Sequence, residues 1–248
     1  MITIKCQHCG IGLDVKIGKK SKCPNCGKSN TGENIMPLKT ISIDLETISD
    51  ESVLPLLPSV EPDSRLKDPV KIAASIEKKK EEQIAKMSLS PTTATICCFG
   101  WATADSSGHL LLNESGTEKQ LLKNIWGVLS EFDHFVTFNG INFDIPVLLM
   151  RSAIHRVGPS VNISTRKYTI QNHTDCRMVL GQWDKYASGT LDFYSRLFLG
   201  ESSKQEVDGS KIQGMWDSGL YAEIAEYCES DCEKTLKIYD IISNYYLF

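Results

Sequence analysis

Apolar and polar positions alternate over residues 40–47. Ile41, Ile43 and Leu45 fall on one face, and Ser42, Asp44 and Glu46 on the other. A period of two predicts a strand. Residues 94–102 and 109–113 read as two more strands. Residues 117–132 switch to the helical period, with Leu121, Leu122, Ile125, Trp126 and Leu129 inward. A strand over 135–138 then ends in the turn Asn139-Gly140. A helix opens near Asp144, with Pro146 in its first turn, where proline is tolerated. The last pattern, 220–246, is one long helix. Residues 48–91 interrupt the series. They carry Pro55, Pro58, Pro62, Pro69 and Pro91, and the stretch from Pro69 to Met87, with no further proline, reads as a helix whose 78–82 charge run is a solvated face.

The first forty residues follow another logic. Cys6 and Cys9 form one Cys-x2-Cys pair, Cys23 and Cys26 a second, each followed by a glycine. Two residues between cysteines let both sulfurs face one point, and the glycine supplies the positive φ of a tight knuckle. Two knuckles make a closed tetrahedral site for one structural Zn²⁺; a redox pair or an iron–sulfur cluster is the competing reading. Residues 11–17 alternate like a short strand between them. This head resembles a zinc ribbon. So short a segment buries little core, so the metal supplies most of its folding free energy. Lys16, Lys19, Lys20, Lys22 and Lys28 make either a phosphate-binding surface or solvated lysines on a protein-docking module.

Charge sharpens the division. The 248 residues carry a formal net charge of −4. Residues 1–40 hold seven lysines against one aspartate and one glutamate, +5, while the other 208 hold 20 basic and 29 acidic side chains, −9. An acidic body meets a polyanion through divalent metal. With 41% apolar and 23% charged residues the chain is an ordinary folded protein, neither disordered nor collagen-like. No apolar run reaches membrane-spanning length, no leader-like stretch opens the chain, and the nine cysteines suit a reducing compartment. The expectation is a cytoplasmic protein with no membrane partner.

Three segments carry candidate chemistry. Asp44 and Glu46 share one strand face, which is expensive in a buried strand unless a cation compensates it and ordinary at a solvated edge. Asp144 is either an N-cap or a strand-end carboxylate facing that pair. Tyr227 and Asp231, four apart, stack on one helix face. Asp175 and Asp192 read as structural termini, and Cys228 and Cys232 as helix packing; His155 has no partner at ligand spacing.

In this order, Asp-x-Glu, Asn-x3-Phe-Asp and Tyr-x3-Asp resemble the DEDD 3′–5′ exonucleases. The tyrosine marks the subgroup that includes the proofreading domain of family B DNA polymerases. The segment 138–148 is similar to that family's second motif, and the loop 207–211 to that of its standalone members. The resemblance covers residues 38–248. It implies an α/β, RNase H-like mixed sheet flanked by helices, here preceded by the small ribbon of 1–37. It implies two Mg²⁺ or Mn²⁺ ions and removal of mononucleotides from a 3′ end, single-stranded DNA foremost, in repair or replication. By carry-over, Asp44, Glu46 and Asp231 hold the first metal and Asp44 bridges to the second. Asp144 stands behind through water, and Tyr227 orients the attacking water. Asn139 and Asn142 are candidate contacts to the terminal nucleotide, Phe143 a wedge or a core residue, and Lys211 a phosphate contact. A non-catalytic nucleic-acid-binding or recruitment module and an RNA 3′ exonuclease are the alternatives; the ribbon offers a place for a protein partner.

Overall fold

The central strand exists because its two faces are covered by different partners. In the computed structural model, which describes residues 2–6, 8–15, 21–30, 38–184, 189–201 and 209–247, the head contributes β1 (Ile2–Lys5) paired with β2 (Gly12–Val15), and β3 (Ser21–Lys22) paired with β4 (Ser29–Asn30). Then come β5 (Thr40–Ser49), α1 (Pro69–Ala85), β6 (Ala94–Ala102) and β7 (Ser107–Leu111). They are followed by α2 (Leu112–Ser115), α3 (Glu118–Leu129), β8 (His134–Thr137), α4 (Asp144–His155) and β9 (His173–Asp175). The last elements are α5 (Cys176–Leu180), α6 (Leu191–Leu199), α7 (Ile212–Asp217) and α8 (Tyr221–Tyr245).

The body is built on one five-stranded sheet of order β7-β6-β5-β8-β9. β6 and β7 run antiparallel, β8 and β9 parallel to β5. This mixed sheet with helices on both sides is the α/β, RNase H-like architecture expected. Ile41, Ile43, Leu45, Ile96 and Phe99 pack against Leu121, Leu122, Ile125 and Leu129 of α3 and Ile145 and Leu148 of α4. The opposite face, which carries Asp44 and Glu46, lies under α8. There Cys97 and Cys98 pack with Ile212, Ile224, Ala225 and Cys228. Gly100, opposite Asp44 in the ladder, makes the approach possible: a Cβ there would sit 2.7 Å from Cys228 Sγ and 2.9 Å from the Cys228 backbone.

Local signals explain the element ends. Thr117 caps α3 by accepting the Gln120 N–H, and Asp68 caps α1 with Pro69 just inside it. α1 buries none of its side chains, as a solvated helix should. Its Lys79 and Gln83 reach back to the carbonyls of Glu61 and Pro58. The rest of the 48–91 stretch is tied to β5 by Thr47 Oγ1, which donates to Ser88 O at 2.6 Å. Two expectations shift. The strand read over 109–113 lies at 107–111 and turns directly into α2. The cap of α4 is Phe143 rather than Asp144, whose carboxylate is used elsewhere. Among the described residues no helix is long and apolar enough to cross a membrane.

Candidate active site

β5 carries Asp44 and Glu46 on the α8 side, and the ladder to β6 shifts register between Glu46 and Thr47. Such a bulge re-aims side chains where a regular pleat would bury them against the neighbouring strand. Glu46 is buried and Asp44 half-buried. α4 brings Asp144, 3% exposed, beneath the strand; its Oδ1 accepts the N–H of Leu45 at 2.9 Å, between the two β5 carboxylates. α8 brings Tyr227 and Asp231 on consecutive turns.

The electrostatics describe one cluster. Burial and then the charges of Asp144, Glu46 and Asp231 hold Asp44 well above the usual carboxylate range. Burial, Asp231, Cys98 and Asp144 do the same to Glu46. Burial raises Asp144 to about 7, against the opposing backbone hydrogen bonds. It raises Asp231 to about 6, against the relief given by Lys234 and Tyr227. Tyr227 is pushed up by burial and by the charges of Asp231, Glu46 and Asp44, so it keeps its proton. The charges of Asp44, Glu46, Asp144 and Asp231 thus act on one another, and Tyr227 feels those of Asp231, Glu46 and Asp44.

Two neighbours were not foreseen. Cys228 is not merely helix packing: its thiol lies 3.5 Å from Asp44 Oδ2, and one ligand atom each of Asp44, Glu46 and Cys228 lie within 4.8 Å of one another. Its position three before Asp231, one turn away on the same helix, was the available signal. Lys234, 8% exposed, donates to Ser230 Oγ at 2.7 Å and stands 4.0 Å from Asp231 Oδ1. It is the buried cation beside the acids, and Asp231–Lys234 is an i,i+3 pair.

The donor set fits hard divalent cations. Its carboxylate oxygens are the ligands that suit Mg²⁺ and Mn²⁺, while burial keeps the proton on the neighbouring Cys228 thiol, which is too soft a donor for either ion. The buried Oδ1 of Asp231 has no hydrogen-bond partner, a vacancy a cation fills.

The loop ahead of α4 is held by Asp175, which accepts the N–H groups of Asn139 (2.9 Å), Ile141 (3.0 Å) and Met178 (3.1 Å), the structural role foreseen for it. Asn139 has φ 73°, and a Cβ on Gly140 would meet Thr137 at 2.4 Å, so the turn requires glycine there. Asn142 Nδ2 and Arg177 Nη1 both donate to Asn139 Oδ1. Phe143 is half-buried against the core, as its packing reading had it. Lys211 is exposed at the end of the short 3-10 turn Gly209–Lys211; Val207 and Asp208 of that loop lie outside the described residues. Asp192, in the first turn of α6, pairs with Arg196 at 3.1 Å. His155 has a partner after all, Glu118 at 2.7 Å, itself bound to Arg151.

In the head, two identical knuckles close. Gly10 N–H donates to Cys6 O and Gly27 N–H to Cys23 O, each at 2.9 Å, and both glycines have positive φ (74° and 69°). The sulfurs of Cys6 and Cys26 are 3.6 Å apart, as are those of Cys9 and Cys23. Tetrahedral Zn–S bonds of roughly 2.3 Å place sulfurs about 3.8 Å apart, so the four thiols fit that ion. Burial raises the Cys6 thiol, but hydrogen bonds from His8, Asn30 and Cys9 outweigh it and lower it to about 6, toward the thiolate a metal needs. Lys22 and Lys28 are exposed; Lys16, Lys19 and Lys20 lie outside the described residues.

Residues 90–244 match a family described as a predicted 3′–5′ exonuclease related to the exonuclease domain of PolB. The fold is similar to that of the family B DNA polymerase from the hyperthermophilic archaeon Pyrobaculum calidifontis. The TM-score is 0.59 at 14% identity, over 92% of this chain and 28% of the polymerase. The chain thus spans little more than a quarter of that polymerase, and at this identity the likeness is one of fold. No curated protein matches the chain. The family match starts after β5, so the placement of Asp44 and Glu46 rests on the sheet itself.

Proposed function

The chain belongs to the family of predicted 3′–5′ exonucleases related to the exonuclease domain of PolB, and from that premise we propose that it is a metal-dependent nuclease removing nucleotides from the 3′ end of DNA, single strands foremost, in repair or replication. One observation supports the reading: ligand atoms of Asp44 and Glu46 lie within 4.8 Å of each other on β5, Asp144 takes the N–H of Leu45 between them, and Asp231 of α8 raises both β5 carboxylates while its own buried Oδ1 lacks a hydrogen-bond partner.

Asp44, Glu46 and Asp231 would hold one Mg²⁺ or Mn²⁺, with Asp44 shared with a second. When bound, two such ions supply a nucleophilic water at neutral pH and stabilise the leaving 3′ oxygen. The chain's own groups do the rest. Asp144, with one oxygen committed to Leu45, acts through water on the other. Tyr227, its proton firmly held, donates a hydrogen bond that orients the attacking water. Lys234 keeps Asp231 ionised as a ligand. Asn139, Asn142, Phe143 and Lys211 would be the contacts to the terminal nucleotide. The chain divides at 37/38, and the head is a zinc ribbon whose one structural Zn²⁺ is held by Cys6, Cys9, Cys23 and Cys26. Its exposed lysines serve nucleic acid or a protein partner. Free thiols suit a cytoplasmic setting.

The test is digestion of a 5′-labelled oligonucleotide with Mn²⁺, beside the same strand blocked at its 3′ end and a matched RNA. A ladder shortening from the free 3′ end is expected, and Asp44→Ala should erase it, a loss of about 10³-fold or more. Intact parent DNA, or equal cleavage of the blocked strand, sinks the proposal; faster loss of the RNA moves the substrate from DNA to RNA.

A further inference from the structure

A cleft of about 570 Å³ opens beside the α4 loop, and most of its walls are side chains the chemistry above does not use. Asn139 and Asn142 form its near edge, Lys167 and Arg177 bring positive charge, and Tyr168 and Trp183 bring rings. Asp184 is the acid among the lining residues. One residue ties the cleft to the loop that leads into Asp144: Asp175, whose carboxylate holds the backbone of Asn139 and Ile141, also caps the helix bearing Arg177 and Met178.

Three features set this cleft apart. Tyr168 is 75% exposed, so most of its ring touches no protein. It leans over Trp183 at 47°, with ring centroids 5.7 Å apart, a tilted ring contact that admits no base between the two and makes the outer face of Tyr168 the open wall of an aromatic notch. Both residues, and Gln182, have positive φ (67°, 63° and 52°), a conformation that costs bulky side chains on the order of 1–3 kcal/mol and is kept where surrounding structure demands it. Arg177 commits one donor to Asn139 Oδ1 at 2.7 Å and has others to offer. Rings for a base face, cations for a phosphate and amides for a base edge together make a nucleotide subsite on single-stranded nucleic acid.

We infer that this cleft holds an unpaired nucleotide next to the one being removed, its base stacked on the outer face of Tyr168 and its phosphate met by Lys167 and Arg177. This rests on the nuclease reading, and makes the cleft the place where a frayed or single strand is told from a paired end. A base in a duplex is already stacked on both faces and cannot enter.

The test is fluorescence anisotropy of a fluorescein-labelled oligothymidylate with Ca²⁺, on the full chain. The variant is Tyr168→Asn, because asparagine accepts φ near 67° and removes the ring without straining the loop. Affinity should fall roughly 5- to 150-fold, the range of one lost base stack. Tyr168→Phe should restore it to within about twofold. Lys167→Ala should flatten the log–log salt dependence by about 0.7. A strand abasic at its two 3′-terminal positions should bind the parent as weakly as the normal strand binds Tyr168→Asn, and lose nothing further on the variant. Equal binding by Tyr168→Asn and the parent, or equal loss on normal and abasic strands, overturns the subsite even if the chain cleaves DNA. Base-dependent binding that follows Tyr168, in a chain that digests nothing, leaves the subsite standing and removes the nuclease.

Discussion

A carboxylate oxygen buried without a partner costs about 1–3 kcal/mol, and more when charged. Asp231 Oδ1 is such an atom among the described residues, with the Lys234 ammonium 4.0 Å away. Tyr227, one turn earlier, faces the same charge and keeps its proton because three carboxylates oppose its ionisation. The two residues therefore divide the work: one is a ligand, the other a hydrogen-bond donor. Tyr227→Phe removes the donor alone. Its kcat should fall about 100-fold, the effect of a misplaced reactant, while Mn²⁺ affinity measured by calorimetry stays within a few-fold of the parent. Equal loss of both would make Tyr227 a support for the metal ligands rather than for the water.

At the scale of elements, the site depends on how closely α8 can lie on β5 and β6. Gly100 sets that distance, since its missing Cβ is replaced by Cys228. Gly100→Ala must push α8 off the sheet. It should destabilise the fold by about 1–3 kcal/mol and lower cleavage with it, because Tyr227 and Asp231 travel with the helix. Gly127 on α3 is the comparison: nothing lies within 4 Å of a Cβ there, and alanine should raise stability by up to about 1 kcal/mol. Paired thermal melts and digestion rates check both. The same contact marks where sequence reading stops. The strand 40–47, the inward face of α3 and the length of α8 were legible because periodicity is local. The five candidate site residues came from an ordered motif. Cys228 against Asp44 joins positions 184 apart, and no periodicity reports which residue of a helix meets which residue of a strand. The Leu45 N–H captured by Asp144, 99 residues away, was hidden for the same reason, so the sequence left Asp144 open between a cap and a carboxylate facing the β5 pair. The Tyr168–Trp183 notch had no signal either, since its backbone conformations belong to the loops and not to a pattern.

For the whole molecule, the sheet brings acids together at a cost that either protons or cations remove, so metal and pH must act on stability jointly. Asp144 titrates at about 7 and Asp231 at about 6, and Asp44 and Glu46 are raised as well. Unfolded carboxylates titrate near about 4. Between those values the native state holds protons that the unfolded chain has released. Stability without metal is therefore greatest at the acid end of the window and is lost as pH rises toward about 7. His173, buried and lowered, works the other way, adding stability above its unfolded value of about 6.5 and losing it below. Mn²⁺ separates the two, since it acts on the carboxylates and not on His173. Bound cation keeps the acids ionised at no cost, and it binds more tightly once they are deprotonated. The gain in melting temperature on adding saturating Mn²⁺ should thus grow from about pH 5.5 to about pH 7.5, by roughly 5 °C or more. Asp44→Ala, lacking the carboxylate that meets all the others, should melt higher than the parent without metal at the upper pH and gain little from Mn²⁺. Calorimetry or a dye-monitored melt across the pH series measures both; a Mn²⁺ gain that is flat with pH would mean that the four acids do not share one field.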